Sequence, residues 1–151
     1  MQGGPRQTAQ SIWYQRLDAA SCQKLTFDYY RSLAVDFTLV REYCLAQPVS
    51  REDFPFGPDV YVYKTQNKLF AILAEKDGVA YLSLKATPAD ALMLRQLFSA
   101  IKPGYHLNKT HWNTITLDGS VPNGELQRQI EQSWRLVQRG LPKKLRFPGV
   151  D

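Results

Sequence analysis

Three β-type segments, VYVYKT from Val60, LFAILAE from Leu69 and VAYLSL from Val79, follow one another with links too short for the chain to cross over a sheet. Parallel neighbours need a connection of a dozen or more residues, whereas antiparallel neighbours can be joined by a tight turn. The segments therefore predict an antiparallel meander and exclude a doubly wound parallel sheet. The second link, Glu75 to Gly78, contains Asp77-Gly78, a pair that tolerates the positive φ angles of a two-residue hairpin, and Gln66-Asn67-Lys68 supplies the first turn.

The flanking sequence predicts helices that can cover this sheet. From Asp36 to Ala46 the apolar residues Phe37, Val40, Tyr43 and Cys44 form one stripe, and Pro48 closes the helix. Arg51 to Pro58, with its FPFGP, reads as an ordered loop. Thr87-Pro88-Ala89-Asp90 is a helix start in which Thr87 caps and Pro88 suits the first turn, and Leu94, Leu97, Phe98 and Ile101 follow as its buried stripe until Pro103-Gly104. Asn113 to Leu117 alternates like a fourth strand and Asp118-Gly119 turns it. A last helix from Pro122 or Asn123 puts Leu126, Ile130, Trp134, Val137 and Leu141 on one face and ends at Gly140 and Pro142. This order predicts an α+β domain, a two-layer antiparallel sheet with covering helices.

At 151 residues, 44% hydrophobic and 22% charged, the chain has the size and composition of one globular domain. Residues 35–146 hold the periodic segments. Residues 1–34, with Gly3, Gly4 and the scattered aromatics Trp13, Tyr14, Phe27, Tyr29 and Tyr30, read as an N-terminal extension, and residues 147–151 as a tail. The longest strongly apolar run, Leu69 to Ala74, is far short of the ~20 residues that span a bilayer. With no secretory signal pattern at the N-terminus, a cytoplasmic protein is expected. Cys22 and Cys44 stand without a Cys or His at metal-ligand spacing. Nineteen Lys and Arg against 14 Asp and Glu give a net charge of +5, which favours polyanions wherever the charge is clustered.

The densest group of chemically capable side chains is Tyr105-His106-Leu107-Asn108-Lys109-Thr110-His111-Trp112, between a helix stop and a strand, and it holds both histidines of the chain. Lys85 arrives at a strand-to-helix junction, where a lysine and helix-start amides can hold an anion. A zinc or iron site wants three or four ligands, and His106 and His111 are two. Acid–base catalysis lacks a nucleophile or carboxylate at recognisable spacing. Polyanion binding demands less: Lys85 and Lys109 for phosphate, Asn108 for a hydrogen bond, and Trp112, Tyr105 or His106 for stacking. Each residue also has a structural reading, with Trp112 in the core, His111 on a backbone carbonyl and Asn108 holding a turn. Arg128, Arg135 and Arg139 lie off the apolar face of the last helix, either as a solvated stripe or, for Arg135 and Arg139, as phosphate contacts.

The segments SLKATP, HLNKTHW and LDGSVP, in this order and spacing, resemble those of the MmcQ/YjbR family, and the resemblance runs from Phe37 through Leu145. It implies a frataxin-like α+β fold and a double-wing mode of DNA binding. The frataxin-like fold also raises iron handling, but with only Asp36 and Glu42 acidic in the first helix and a positive net charge, no metal and no cofactor are expected. The turns Thr65 to Lys68 and Glu75 to Gly78 would be the wing tips, with Lys64, Lys68 and Lys76 meeting phosphates. The matching segments place Lys85, His106, Asn108, Lys109, His111 and Trp112 at the positions of functional interest. The leading expectation is a bacterial, non-catalytic DNA-binding protein. Its alternatives are a small-ligand or enzymatic pocket around His106, His111 and Lys85, and a protein-interaction module using the aromatics of residues 1–34.

Overall fold

The computed structural model describes residues 37–150. The proposed extension, with Cys22 and its aromatics, lies outside the described residues, as does the start of the first helix at Asp36. The described chain opens with helix α1 (residues 37–46) and continues through strands β1 (Ser50–Asp53), β2 (Val60–Thr65), β3 (Lys68–Lys76) and β4 (Val79–Lys85). Helix α2 (Pro88–Leu97), strands β5 (Ile101–Pro103) and β6 (Trp112–Thr116), helix α3 (Asn123–Arg139) and a 3-10 turn (Lys143–Leu145) complete it. The sheet has six strands in the order β1-β2-β3-β4-β6-β5, and every neighbouring pair is antiparallel.

The meander is built as its turns dictate. Gln66 and Asn67 both have positive φ, 49° and 63°, and so do Asp77 and Gly78, at 55° and 77°, the conformation that matches the twist of the flanking strands. One face of the sheet carries Tyr63, Leu73, Leu82 and Ile115, which pack with Val40 of α1, Leu94 of α2 and Leu126, Ile130 and Trp134 of α3 into a single core. The pairing alternates, so Ile72, Ser83 and Thr114 stand together on the opposite face.

Four sequence expectations are corrected. Arg51 to Pro58 is not all loop, because Ser50–Asp53 pairs with β2. Its SRED sequence has no apolar signature: as an edge strand it carries charge instead, and Glu52 accepts Arg41 Nε at 2.8 Å and Tyr63 Oη at 2.8 Å. The second helix stops at Leu97, since Phe98 turns to an extended conformation as its N–H closes on Leu94 O. Leu97 is therefore 65% exposed while Ile101 is buried in a short edge strand, and Pro103 sits in that strand rather than ending a helix. Leu141 is buried but lies beyond the end of α3. The expected fourth strand, set at Asn113 to Leu117, is the last of six and runs from Trp112 to Thr116.

The two wing-tip turns also acquire a geometry. They sit at opposite ends of the nine-residue β3, on the order of 27 Å apart at about 3.4 Å per residue, so they cannot meet the same phosphate.

Candidate functional site

The segment from Gly104 to Trp112 is a tightly bonded loop. Gly104 N–H donates to Trp112 O at 2.8 Å and closes its base, while Asn108 Oδ1 accepts from Thr110 N–H at 2.9 Å and His111 N–H at 3.2 Å. Asn108 thus holds the turn with its own side chain. Lys109 Nζ donates to Gly104 O at 2.9 Å, so this lysine bridges the loop rather than standing free. His111 presents its carbonyl to Ala86 N–H at 2.8 Å, tying the loop to the junction that follows β4. Trp112 is half-buried and begins β6 opposite Lys85. The imidazoles of His106 and His111 are exposed and make no hydrogen bond with the described residues, and no group of three or more His, Cys, Asp or Glu among those residues could hold a metal ion.

Sequence reasoning missed the residue that organises this loop. Arg95 of α2 donates through Nε to Asn113 Oδ1 at 2.7 Å, through Nη2 to Trp112 O at 3.2 Å, and also to Lys109 O. One guanidinium thereby fixes three positions of the segment, a use its planar fork suits and a lysine cannot match. No local signal marks Arg95, because its partners lie 14 to 18 residues away.

Among the described residues the cations divide into paired and unpaired. Lys64 Nζ pairs with Asp53 at 2.9 Å and holds its carboxyl below the usual range, Arg128 is bound to Glu125 and lowers that carboxyl in the same way, and Arg135 pairs with Glu131 at 3.0 Å. Lys68, Lys85, Lys102, Arg139, Lys143 and Lys144 have no side-chain ion pair among the described residues. Lys85 and Arg139 line one cleft of about 140 Å³ between α2 and α3, together with Thr87, Asp90, Arg128 and Gln132. Neither histidine lines it.

A second group lies on the sheet face opposite α3. Register places Lys76, Lys102, Trp112 and Thr114 there. Tyr105 joins them: its N–H donates to Thr114 Oγ1 at 3.0 Å, the residue is 62% exposed, and Lys76 Nζ stands 6.0 Å from the ring centroid. His106, at φ 58°, lays its imidazole 4.0 Å from the Tyr105 ring.

The family model described as YjbR matches residues 45–136. The chain is 33% identical over 105 residues to the "Uncharacterized protein YjbR" of Escherichia coli strain K12, covering 70% of this chain and 89% of that relative. It is 38% identical over 91 residues to the "Uncharacterized protein YbdF" of Escherichia coli O157:H7, covering 60% and 75%. The crystal structure of the Deinococcus radiodurans protein DR2400 superposes with a TM-score of 0.65 at 35% identity, over 74% of this chain and 91% of that one. A Pseudomonas syringae crystal structure gives a TM-score of 0.56 at 29% identity, over 63% and 92%.

Proposed function

From the premise that the chain belongs to the YjbR family, we propose that it binds nucleic acid through the phosphate backbone, without catalysis and without a cofactor. The relatives' names assign no activity, so the reading rests on the chain's own surface. The observation that carries it is the pair Lys85 and Arg139, two cations on one cleft that have no ion-pair partner among the described residues. A polyanion offers closely spaced negative charge to such a pair, and each cation engaged releases counterions from the backbone. Lys68 lies at the end of the sheet to which Lys85 belongs, since Leu84 pairs with Ala71, and its hairpin extends the basic surface. Thr87 and Gln132 at the cleft supply neutral hydrogen-bonding groups for phosphate oxygens.

The test is fluorescence anisotropy of labelled DNA at two salt concentrations, with wild type and a Lys85→Ala/Arg139→Ala variant. The expected result is saturable binding that weakens with salt, and a salt slope that falls by about 1 for each phosphate contact removed. Absence of binding to both duplex and single strand at low salt would sink the reading.

A further inference from the structure

We infer that the sheet face opposite α3 is a stacking platform for unpaired bases, so that the nucleic acid this protein takes is single-stranded. The inference rests on the phosphate-binding reading above and specifies its substrate. Two lysines, Lys76 and Lys102, share that face by register. Lys76 is the last residue of β3, and Lys102 is on the outer strand β5. Beside Lys76 lies Tyr105, 62% exposed, with that lysine at its ring and the His106 imidazole next to it.

Exposed aromatic area beside cations is what a single strand uses. Each unpaired base has a π-face to lay on a ring, and the phosphate that follows it meets a lysine. A duplex keeps its base faces stacked internally and gains nothing from Tyr105. The platform is also held in place. Tyr105 N–H is bonded to Thr114 Oγ1, whose hydroxyl is 2.8 Å from Ser83 Oγ at the middle of the sheet, and Leu107 N–H closes back on Gly104 O. His106 adopts a left-handed backbone that non-glycine residues seldom take, so the loop imposes the conformation that sets its ring against Tyr105.

The experiment compares labelled oligo-dT and oligo-rU of about 16 nucleotides, the upper end of common site sizes, with a duplex of the same length. The proteins are wild type, Tyr105→Ala, Tyr105→Phe and the Lys85→Ala/Arg139→Ala variant, each with a thermal melt to confirm folding. Expected are tighter binding of single strands than of duplex, a loss on the order of ten-fold in Tyr105→Ala, and near-complete retention in Tyr105→Phe. The salt slope should hold in Tyr105→Ala and fall in the lysine–arginine variant. Single strands bound equally by wild type and Tyr105→Ala would overturn the platform while leaving phosphate binding in place. If no nucleic acid binds at low salt, both readings fail together.

Discussion

Arg95 Nε donates to Asn113 Oδ1 at 2.7 Å, and the same guanidinium holds the carbonyl of Trp112. Asn113 is 2% exposed and gives its own amide N–H to Ala91 O at 3.3 Å, so α2, β6 and the Gly104–Trp112 loop meet at one polar junction inside the fold. Arg95→Ala leaves that buried amide oxygen without a donor, and a loss of about 1–3 kcal/mol in urea unfolding is expected. Arg95→Lys recovers little of it, because one ammonium cannot serve three acceptors in different directions. Hydrogen exchange should report faster opening of residues 104–112 in both variants, and unchanged protection there would contradict the clamp.

Gly104 is where that loop comes closest to its own strand. A Cβ at this position would stand 2.7 Å from Trp112 Cβ and 3.1 Å from Trp112 O, inside contact distance of a carbon and a backbone oxygen that cannot rotate away. Gly104→Ala is expected to destabilise by about 1–3 kcal/mol through overpacking. The check is the chemical-denaturation midpoint, together with the near-ultraviolet signal of the tryptophans, since Trp112 must shift to admit the methyl.

What the sequence made legible was the part of the fold written in local spacing. The meander followed from the short links around Asn67 and Gly78, and the start of α2 from Thr87, whose hydroxyl does accept Asp90 N–H at 3.2 Å. What stayed hidden depends on partners far along the chain. The strand Ser50–Asp53 has no apolar pattern because it lies at an edge, and Ile101 continues a helical spacing after the helix has already ended. In the loop, Asn108 holds the turn, one of the two roles its sequence position offered, Lys109 is bonded to a carbonyl, and Arg95 carried no local signal because its partners are distant in the chain. The grouping of Lys85 with Arg139 arises only once β4 ends against α3, 54 residues apart in the chain.

The polar half of the α3 interface was equally hidden and yields a third prediction. Ser133 is fully buried; its Oγ donates to Phe70 O at 2.6 Å and accepts Lys85 N–H at 2.9 Å, joining two strands to the helix through one hydroxyl. Ser133→Ala strands a buried carbonyl and a backbone N–H at once, and is expected to cost about 2–4 kcal/mol, more than the removal of a surface hydroxyl by several-fold. It also loosens the backbone at Lys85. If phosphate binding uses Lys85, the variant should bind DNA more weakly while still folded at low temperature, and a melt combined with an anisotropy titration reads both effects.

Glu52 supplies the clearest pH dependence. The bidentate Arg41 guanidinium, at 2.8 and 3.0 Å, holds its carboxyl below the usual carboxylate range, with Tyr63 Oη adding a hydrogen bond and burial opposing both. A carboxyl lowered in the folded state stabilises the protein above its unfolded pKa of about 4.3, and that contribution disappears as the pH falls through the folded value. Glu52→Gln cannot lose a charge it lacks, and it pairs more weakly with Arg41 and with the buried Tyr63 hydroxyl. It should therefore be less stable than wild type by about 1–3 kcal/mol at neutral pH, and the gap should close as the pH drops below about 4. The other lowered carboxyls, Asp53 and Glu125, titrate in both proteins, so the difference between the two unfolding curves isolates Glu52. Urea unfolding at neutral pH and at about pH 3 measures it, and a gap that stays constant between the two would mean that the Arg41 pair contributes no pH-dependent stability.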